Sequence, residues 1–187
     1  MNQREVVGLL EDLGAVRRGH FLLSSGKHSD VYVEKARVFE DPSVTARLGN
    51  EIASWHADIG VVVSPAVGAI PLGFAVALAA SARFLYTERV DGRMAFRRGF
   101  ELRTDEPALV VEDVVTTGGS AAEVHGLVVE SGARALGVAA LVDRSTHDTS
   151  FPLRALARVA AAAFEPDECP RCAAGGAPES PGSRHIG

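Results

Sequence analysis

Hydrophobic residues recur along the chain with two different spacings, and each spacing predicts one kind of element. Apolar residues three or four positions apart predict helices. Segments with this spacing cover residues 3–13, 42–56 and 71–82. Short continuous apolar runs predict buried strands. Such runs occupy residues 59–63, 84–87, 108–111 and 136–142. Strand, loop and helix therefore alternate from residue 59 on, and we expect the loops to meet at one edge of an open α/β sheet.

The segment 109–120 carries the clearest candidate chemistry. It begins as a strand, continues with Glu112 and Asp113, and ends with hydroxyl residues and glycines up to Ser120. Glycines let the backbone approach a ligand closely, and Ser120 with Glu123 predicts a capping box that starts a helix. Free N–H groups at a helix N-terminus bind phosphate, and the carboxylates can accept hydrogen bonds from vicinal hydroxyls. The pattern predicts a site for a ribose 5-phosphate.

Residues 112–120 resemble the motif with which type I phosphoribosyltransferases bind phosphoribosyl diphosphate (PRPP). In that motif two acids and two variable residues precede Thr-Thr/Gly-Gly-Ser/Thr; the segment does not fit a Walker loop. Residues 19–33 contain two apolar runs around a Ser-Gly-Lys turn, which predicts two short strands. They resemble the N-terminal hood of the orotate phosphoribosyltransferases, Gly-x-Phe-x-Leu-x-Ser-Gly-x-x-Ser-x-x-Tyr/Phe. The resemblance to this family extends over residues 19 to about 145.

The resemblance implies an α/β fold, the type I phosphoribosyltransferase fold, with a parallel sheet flanked by helices and a small N-terminal hood. It implies a phosphoribosyltransferase domain over residues 1–164, with the hood mainly in 1–40. A loosely structured C-terminal tail rich in Pro and Gly would follow over 165–187. The alanine-rich segment 153–163 suits a helix by propensity, but the resemblance favours a strand.

The implied reaction transfers the phosphoribosyl group of PRPP to orotate, giving orotidine 5′-monophosphate and pyrophosphate. The resemblance also implies Mg²⁺ carried on the PRPP oxygens and a cytoplasmic homodimer. The residues that it assigns to PRPP are Glu112, Asp113, Val114, Val115, Thr116, Thr117, Gly118, Gly119, Ser120, Ala66, Val67 and Gly68. Those that it assigns to orotate are Thr116, Arg144, Tyr32, Ser24 and Lys27. Ser24 and Val67 stand where many family members have lysine, so this chain departs from the family pattern at both positions.

Arginine is concentrated in residues 83–103, which hold six of the nineteen basic residues. Asp91 and Gly92 form a hairpin signal within this segment. A solvated hairpin of alternating charge is one interpretation. The other is a mobile loop over 88–99 that neutralises the departing pyrophosphate, as the resemblance implies. In that case Arg89 and then Arg93 are the catalytic candidates, beside Glu112 and Asp113.

Net charge and hydropathy exclude some classes of function but do not identify the reaction. The net charge of −5 argues against a nucleic-acid or membrane-surface protein, and no apolar run approaches the length of a membrane span. We therefore expect PRPP and orotate as partners, with neither nucleic acid nor membrane. A purine phosphoribosyltransferase and a catalytically weak, PRPP-sensing regulator remain as alternatives.

Cys169 and Cys172 form a single Cys-x-x-Cys pair, which is half of a zinc site. His185 is the only other soft ligand after residue 164. One such pair is a weak signal, so we predict a solvent-exposed thiol pair and no metal held by the protein.

Overall fold

The computed structural model describes residues 1–23 and 25–181. It has a six-stranded sheet, a three-stranded sheet and flanking helices. The helices are α1 (Gln3–Asp12), α2 (Ala36–Phe39), α3 (Pro42–Ala53), α4 (Ile70–Ala80), α5 (Gly119–Glu130) and α6 (Pro170–Ala173), with a 3₁₀ turn at Pro166–Glu168. The strands are β1 (Val16–Leu22), β2 (His28–Val33), β3 (Val61–Pro65), β4 (Arg83–Val90), β5 (Arg93–Phe96), β6 (Pro107–Val115), β7 (Arg134–Asp143), β8 (Leu153–Arg158) and β9 (Ala163–Phe164).

The large sheet is parallel except at one edge. Its strand order is β5-β4-β3-β6-β7-β8, and only β5 runs antiparallel to its neighbour. The chain leaves β3 towards one edge and leaves β6 towards the other, so the winding reverses between these adjacent strands. In open α/β sheets, ligands bind at the carboxyl ends of the strands at this reversal point. The fold therefore brings the loops after β3 and β6 together.

Apolar residues pack on both faces of the large sheet. Val62 of β3 faces the cluster formed with α1, α3 and α4, whereas Val61 and Val63 face the cluster formed with α5. Successive strand residues point to opposite faces, so an uninterrupted apolar strand is what a sheet covered on both sides requires. This explains why the continuous apolar runs predicted these strands correctly. The type I phosphoribosyltransferase fold expected from the resemblance is confirmed.

Sequence signals at the helix ends agree with the structure in most places. Asp41 caps α3 by accepting hydrogen bonds from the backbone N–H groups of Ser43 and Val44, as its position before Pro42 predicts. The choice of a strand for residues 153–163 is confirmed over Leu153–Arg158. Within the described residues, no helix is long and apolar enough to cross a membrane.

The small sheet is the hood, and it includes residues that we expected in a loose tail. β1 pairs with β2, and β2 pairs with β9. Beyond β9, the Glu179 backbone exchanges hydrogen bonds with β1, accepting from Leu22 N at 2.8 Å and donating to His20 O at 2.7 Å. Over the described residues after β9, the chain is therefore attached to the hood through the Glu179 backbone.

Candidate active site

Two acidic side chains are held at the carboxyl end of β6, in the middle of the large sheet. Glu112 and Asp113 are both buried. The backbone N–H of Asp113 donates to Glu112 Oε1 at 3.0 Å, and that of Val114 donates to Asp113 Oδ1 at 2.6 Å. Burial, together with the nearby charge of Asp113, raises the pKa of Glu112 to about 8. The site therefore holds two adjacent, buried carboxyl groups that can form hydrogen bonds with a ligand.

Lys35 and the loop after β3 converge on the same carboxylates. The Lys35 ammonium, between β2 and α2, forms an ion pair with Asp113 Oδ2. Gly68 lies so close to this pair that a Cβ at residue 68 would collide with both groups. Ala66 is anchored through its N–H to Thr87 O at 2.8 Å. The hood, the loop after β3 and the end of β6 thus meet at one point, as the sheet topology requires.

The loop after β6 leads directly into α5. Gly118 has φ +77°, a left-handed conformation that favours glycine, and α5 begins at Gly119. The first N–H groups of a helix have no partner inside the helix. They lie at a small cavity of about 70 Å³ lined by Glu112, Val114 and the run Val115–Ala121. The cavity has the position and the donors that an anionic group needs.

The capping box predicted for Ser120 and Glu123 is wrong. No side chain caps α5, because the helix starts two residues earlier than predicted, with Gly118 and not Ser120 at the cap position. Glu123 instead accepts a hydrogen bond from the Met94 backbone N–H at 2.8 Å and pairs with Arg89 at 3.2 Å. The carboxylate that would have capped the helix holds the β4–β5 hairpin against α5.

Arg144 lies just beyond β7, on the hood side of the carboxylates. Its guanidinium is half-buried, and Nη2 donates to Val31 O of β2 at 3.4 Å. Nε is buried and has no hydrogen-bond partner among the described residues, and burial lowers the Arg144 pKa. A cavity of about 400 Å³ lies beside Arg144 and Asp30. A planar acidic ligand would supply the acceptors that Arg144 lacks.

The other residues assigned to orotate lie in different surroundings. Tyr32 is on β2, with its ring 5.7 Å from that of Phe21, and it does not line the cavity at Arg144. Lys27 forms an ion pair with Glu165 at 2.7 Å, at the outer end of the hood. Ser24 lies outside the described residues.

The arginine-rich segment 88–99 forms the paired hairpin of β4 and β5. Arg89 donates to Gly92 O, and its ion pair with Glu123 occupies the rest of its guanidinium. Arg98 is paired with Glu88 at 3.2 Å. Arg93 and Arg97 are exposed and form no ion pair with another described residue. The free positive charge of the hairpin is therefore on Arg93 and Arg97.

Sequence reasoning missed Lys35, whose ammonium forms an ion pair with Asp113. Its position just after the second hood strand gave no motif. A compositional signal was available, because only two of the nineteen basic residues are lysines. A lysine retained in an arginine-rich chain is a candidate for a specific contact, because an ammonium is a compact point charge and a guanidinium is a planar fork.

Comparison with known proteins agrees with this geometry. No protein-family model matches the chain. The chain is 43% identical over 190 residues to the orotate phosphoribosyltransferase of Desulforamulus reducens, covering 100% of both chains. It is 45% identical over 182 residues to that of Thermotoga petrophila, covering 95% of this chain and 97% of the relative.

A solved structure has the same fold. The crystal structure of orotate phosphoribosyltransferase from Aeropyrum pernix has a TM-score of 0.66 and 27% sequence identity. The match covers 82% of this chain and 93% of that chain. Full-length similarity above 40% and a shared fold, with carboxylates and a phosphate-type loop at the expected sheet edge, lead to one conclusion: the chain belongs to the orotate phosphoribosyltransferase family.

Proposed function

We propose that the protein transfers the phosphoribosyl group of PRPP to orotate, giving orotidine 5′-monophosphate and pyrophosphate for pyrimidine biosynthesis. One observation carries the proposal. Glu112 and Asp113 stand at the carboxyl end of β6, Glu112 lines the anion cavity at the start of α5, and Arg144, whose Nε has no partner among the described residues, follows the neighbouring strand β7. A phosphate, a ribose diol and an acidic base placed side by side need these three groups in this order.

The loop Thr116–Ser120 is the proposed anchor of the 5-phosphate. Its N–H groups and the positive end of the α5 dipole favour an anion, and Thr116 and Thr117 are exposed at the cavity mouth. A fixed phosphate holds the ribose against the carboxylates, so most of the rate acceleration comes from positioning.

Glu112 and Asp113 are proposed to hold the ribose hydroxyls. As pyrophosphate leaves, the anomeric carbon gains oxocarbenium character, and a nearby carboxylate stabilises that positive charge. Lys35 balances the charge of Asp113 until substrate arrives. Mg²⁺ enters as part of the substrate, bound to PRPP oxygens, because this cation prefers phosphate oxygens with few protein ligands.

Departing pyrophosphate would meet two groups. Ala66, Val67 and Gly68 form the loop after β3, and the backbone N–H groups of Val67 and Gly68 are the donors it offers, since the N–H of Ala66 is bonded to Thr87 O. Arg93 on the hairpin offers a charge that no described acid neutralises. Arg89, the first catalytic candidate from the sequence, forms an ion pair with Glu123. Arg93 is therefore the better candidate for contacting pyrophosphate.

We also propose a cytoplasmic homodimer. The exposed apolar side chains of Phe74 and Leu78, 56% and 70% exposed, lie one turn apart on α4. A patch of this kind on a helix face is typical of a subunit interface. Light scattering coupled to size-exclusion chromatography would measure the mass of the particle directly.

The decisive experiment is a turnover assay with PRPP, Mg²⁺ and each of orotate, adenine and hypoxanthine. We expect orotate alone to be consumed at a substantial rate and pyrophosphate to be released in equal amount. Faster turnover of a purine would contradict the substrate assignment. PRPP binding without turnover of any base would favour a PRPP-sensing regulator. The ion pair of Arg89 with Glu123 is the observation that favours this alternative.

A further inference from the structure

Four side chains at the outer end of the hood form a cluster that the proposed reaction does not use. They come from three parts of the chain: His20 from β1, His28 from β2, and Cys169 and Cys172 around the start of α6. Their ligand atoms all lie within 4.8 Å of one another. We propose that they form a structural zinc site that fastens residues 163–179 to the hood.

The distances fit tetrahedral coordination. His20 Nε2 and His28 Nδ1 are 3.0 Å apart, and Cys172 Sγ is 3.7 Å and 3.2 Å from these two nitrogens. Cys169 Sγ is 3.4 Å from His20 Nε2. Tetrahedral bonds of about 2.0 Å to nitrogen and 2.3 Å to sulfur separate two nitrogens by about 3.3 Å, and nitrogen from sulfur by about 3.5 Å. The four atoms already surround a space of the right size.

The donor set selects the metal and its role. Two thiolates and two imidazoles in a tetrahedron favour Zn²⁺ over Mg²⁺ or Ca²⁺, which prefer oxygen. Four protein ligands leave no open position for water or substrate, which characterises structural and not catalytic zinc. Cys169 and His28 are 2% and 6% exposed, so the site is closed on its inner side.

The segment held by this cluster has little else to fix it. Cys169 is its one buried residue over 165–180. Its ion pairs, Lys27 with Glu165 and Arg17 with Glu179, join side chains that are 41–54% exposed, and exposed pairs contribute little. An ordered, mostly polar segment without a hydrophobic core needs a metal or a disulfide, and both cysteines are free thiols in the structure.

The zinc would act on the active site only by positioning the hood. His28 begins β2, which continues through Val31, the acceptor for Arg144. Lys35, the partner of Asp113, follows two residues after β2 ends. Zinc at the turn end of the β1–β2 pair would therefore fix one end of the strand whose other end reaches the substrate site. This role is independent of the proposed reaction, since it concerns folding of the hood.

Metal analysis of the full chain, purified under reducing conditions without added chelator, tests the site. We expect about one zinc per chain, and a loss of at least about tenfold in Cys169→Ser/Cys172→Ser. His56→Gln, which alters a histidine outside the cluster, is the matched control and should retain its zinc. Absence of zinc that added Zn²⁺ does not correct, or equal zinc in the double variant and the parent, would overturn the proposal. A Cys169–Cys172 disulfide in metal-free protein purified without reductant would also overturn it.

A second measurement uses the unmodified protein, so it remains informative even if the cysteine variant does not fold. Co²⁺ replacing Zn²⁺ should give the visible bands and thiolate charge-transfer absorption of a tetrahedral sulfur–nitrogen site; octahedral spectra would refute it. Removal of the metal should lower the Tm by several degrees. It should also speed tryptic cleavage after Arg171, which lies between the two cysteines, and leave cleavage after Arg103 unchanged. Equal protection at Arg171 with and without metal would contradict the fastening role.

Discussion

The buried carboxyl of Glu112 should make the ligand-free protein less stable as pH rises, and Glu112→Gln tests this expectation. Burial and the charge of Asp113 raise its pKa from 4.5 to about 8. Between these values the native state keeps a proton that the unfolded state has lost. The native state then binds more protons, so the free energy of unfolding falls as pH rises through this window.

The size of the effect follows from the two pKa values. A group that moves from 4.5 to about 8 costs the native state about 3 kcal/mol at pH 7 and about 5 kcal/mol once the pH is well above 8. Glutamine keeps the shape of the side chain and an oxygen for the Asp113 N–H, but it carries no charge. Glu112→Gln should therefore stabilise the protein by an amount near zero at acidic pH that grows towards pH 8.

Urea unfolding of the parent and the variant, without ligand, at about pH 5 and about pH 8 measures this difference. Glu123→Gln is the control with the opposite sign, because the Met94 backbone N–H and Arg89 lower the pKa of Glu123. Its charge is favourable, so this variant should gain no stability at high pH. The reasoning is refuted if Glu112→Gln gains the same stability at both pH values, or loses stability at pH 8. The stabilised variant should also use PRPP poorly, since it has lost a ribose contact.

Four further variants test the proposed substrate contacts. Asp113→Asn should lower kcat/KM for PRPP by about one to two decades, the value of a hydrogen bond to a charged group, and unchanged kinetics would remove the ribose assignment. Arg144→Ala should raise the KM for orotate more than that for PRPP, because Arg144 lines the cavity beside the hood and its Nε has no partner among the described residues; an equal rise in both would indicate a structural role. Arg93→Ala should lower kcat by about tenfold or more, whereas Arg89→Ala should mainly loosen the hairpin from α5. Stopped-flow kinetics measure kcat for both variants. A larger loss of kcat in Arg89→Ala than in Arg93→Ala would restore Arg89 as the catalytic candidate.

Local sequence was enough to predict β6 and the glycine turn that leads from it into α5. The run from Leu109 to Ser120 encodes its own strand, turn and helix start, since an apolar run, two glycines and hydroxyl residues act on the backbone of that same segment. The core strands were predicted for the same reason. The capping box failed because Glu123 had a better partner in the Met94 backbone, 29 positions away in the sequence.

Contacts between distant segments could not be predicted in this way. Lys35 and Asp113 belong to distant segments of the chain, and no periodicity or spacing near either residue indicates their contact. From the sequence, we looked for further zinc ligands only in the segment that contains Cys169 and Cys172. The histidine in that segment is His185, which lies outside the described residues. The structure supplies His20 and His28 from the hood instead. The expected exposed thiol pair is wrong for Cys169, which is buried.

The pairing of residues 163–179 with β1 and β2 also sets the order in which the molecule can be completed. Arg17 and Glu179 are 162 positions apart, so ribosomal synthesis delivers the first two hood strands long before their third strand and its last contacts exist. The parallel sheet can assemble in the interval, and contacts of such sequence separation form slowly. The hood is therefore expected to fold last. A nascent chain released before residue 179 would have Glu112 and Asp113 in place on the large sheet, but its hood would be incomplete.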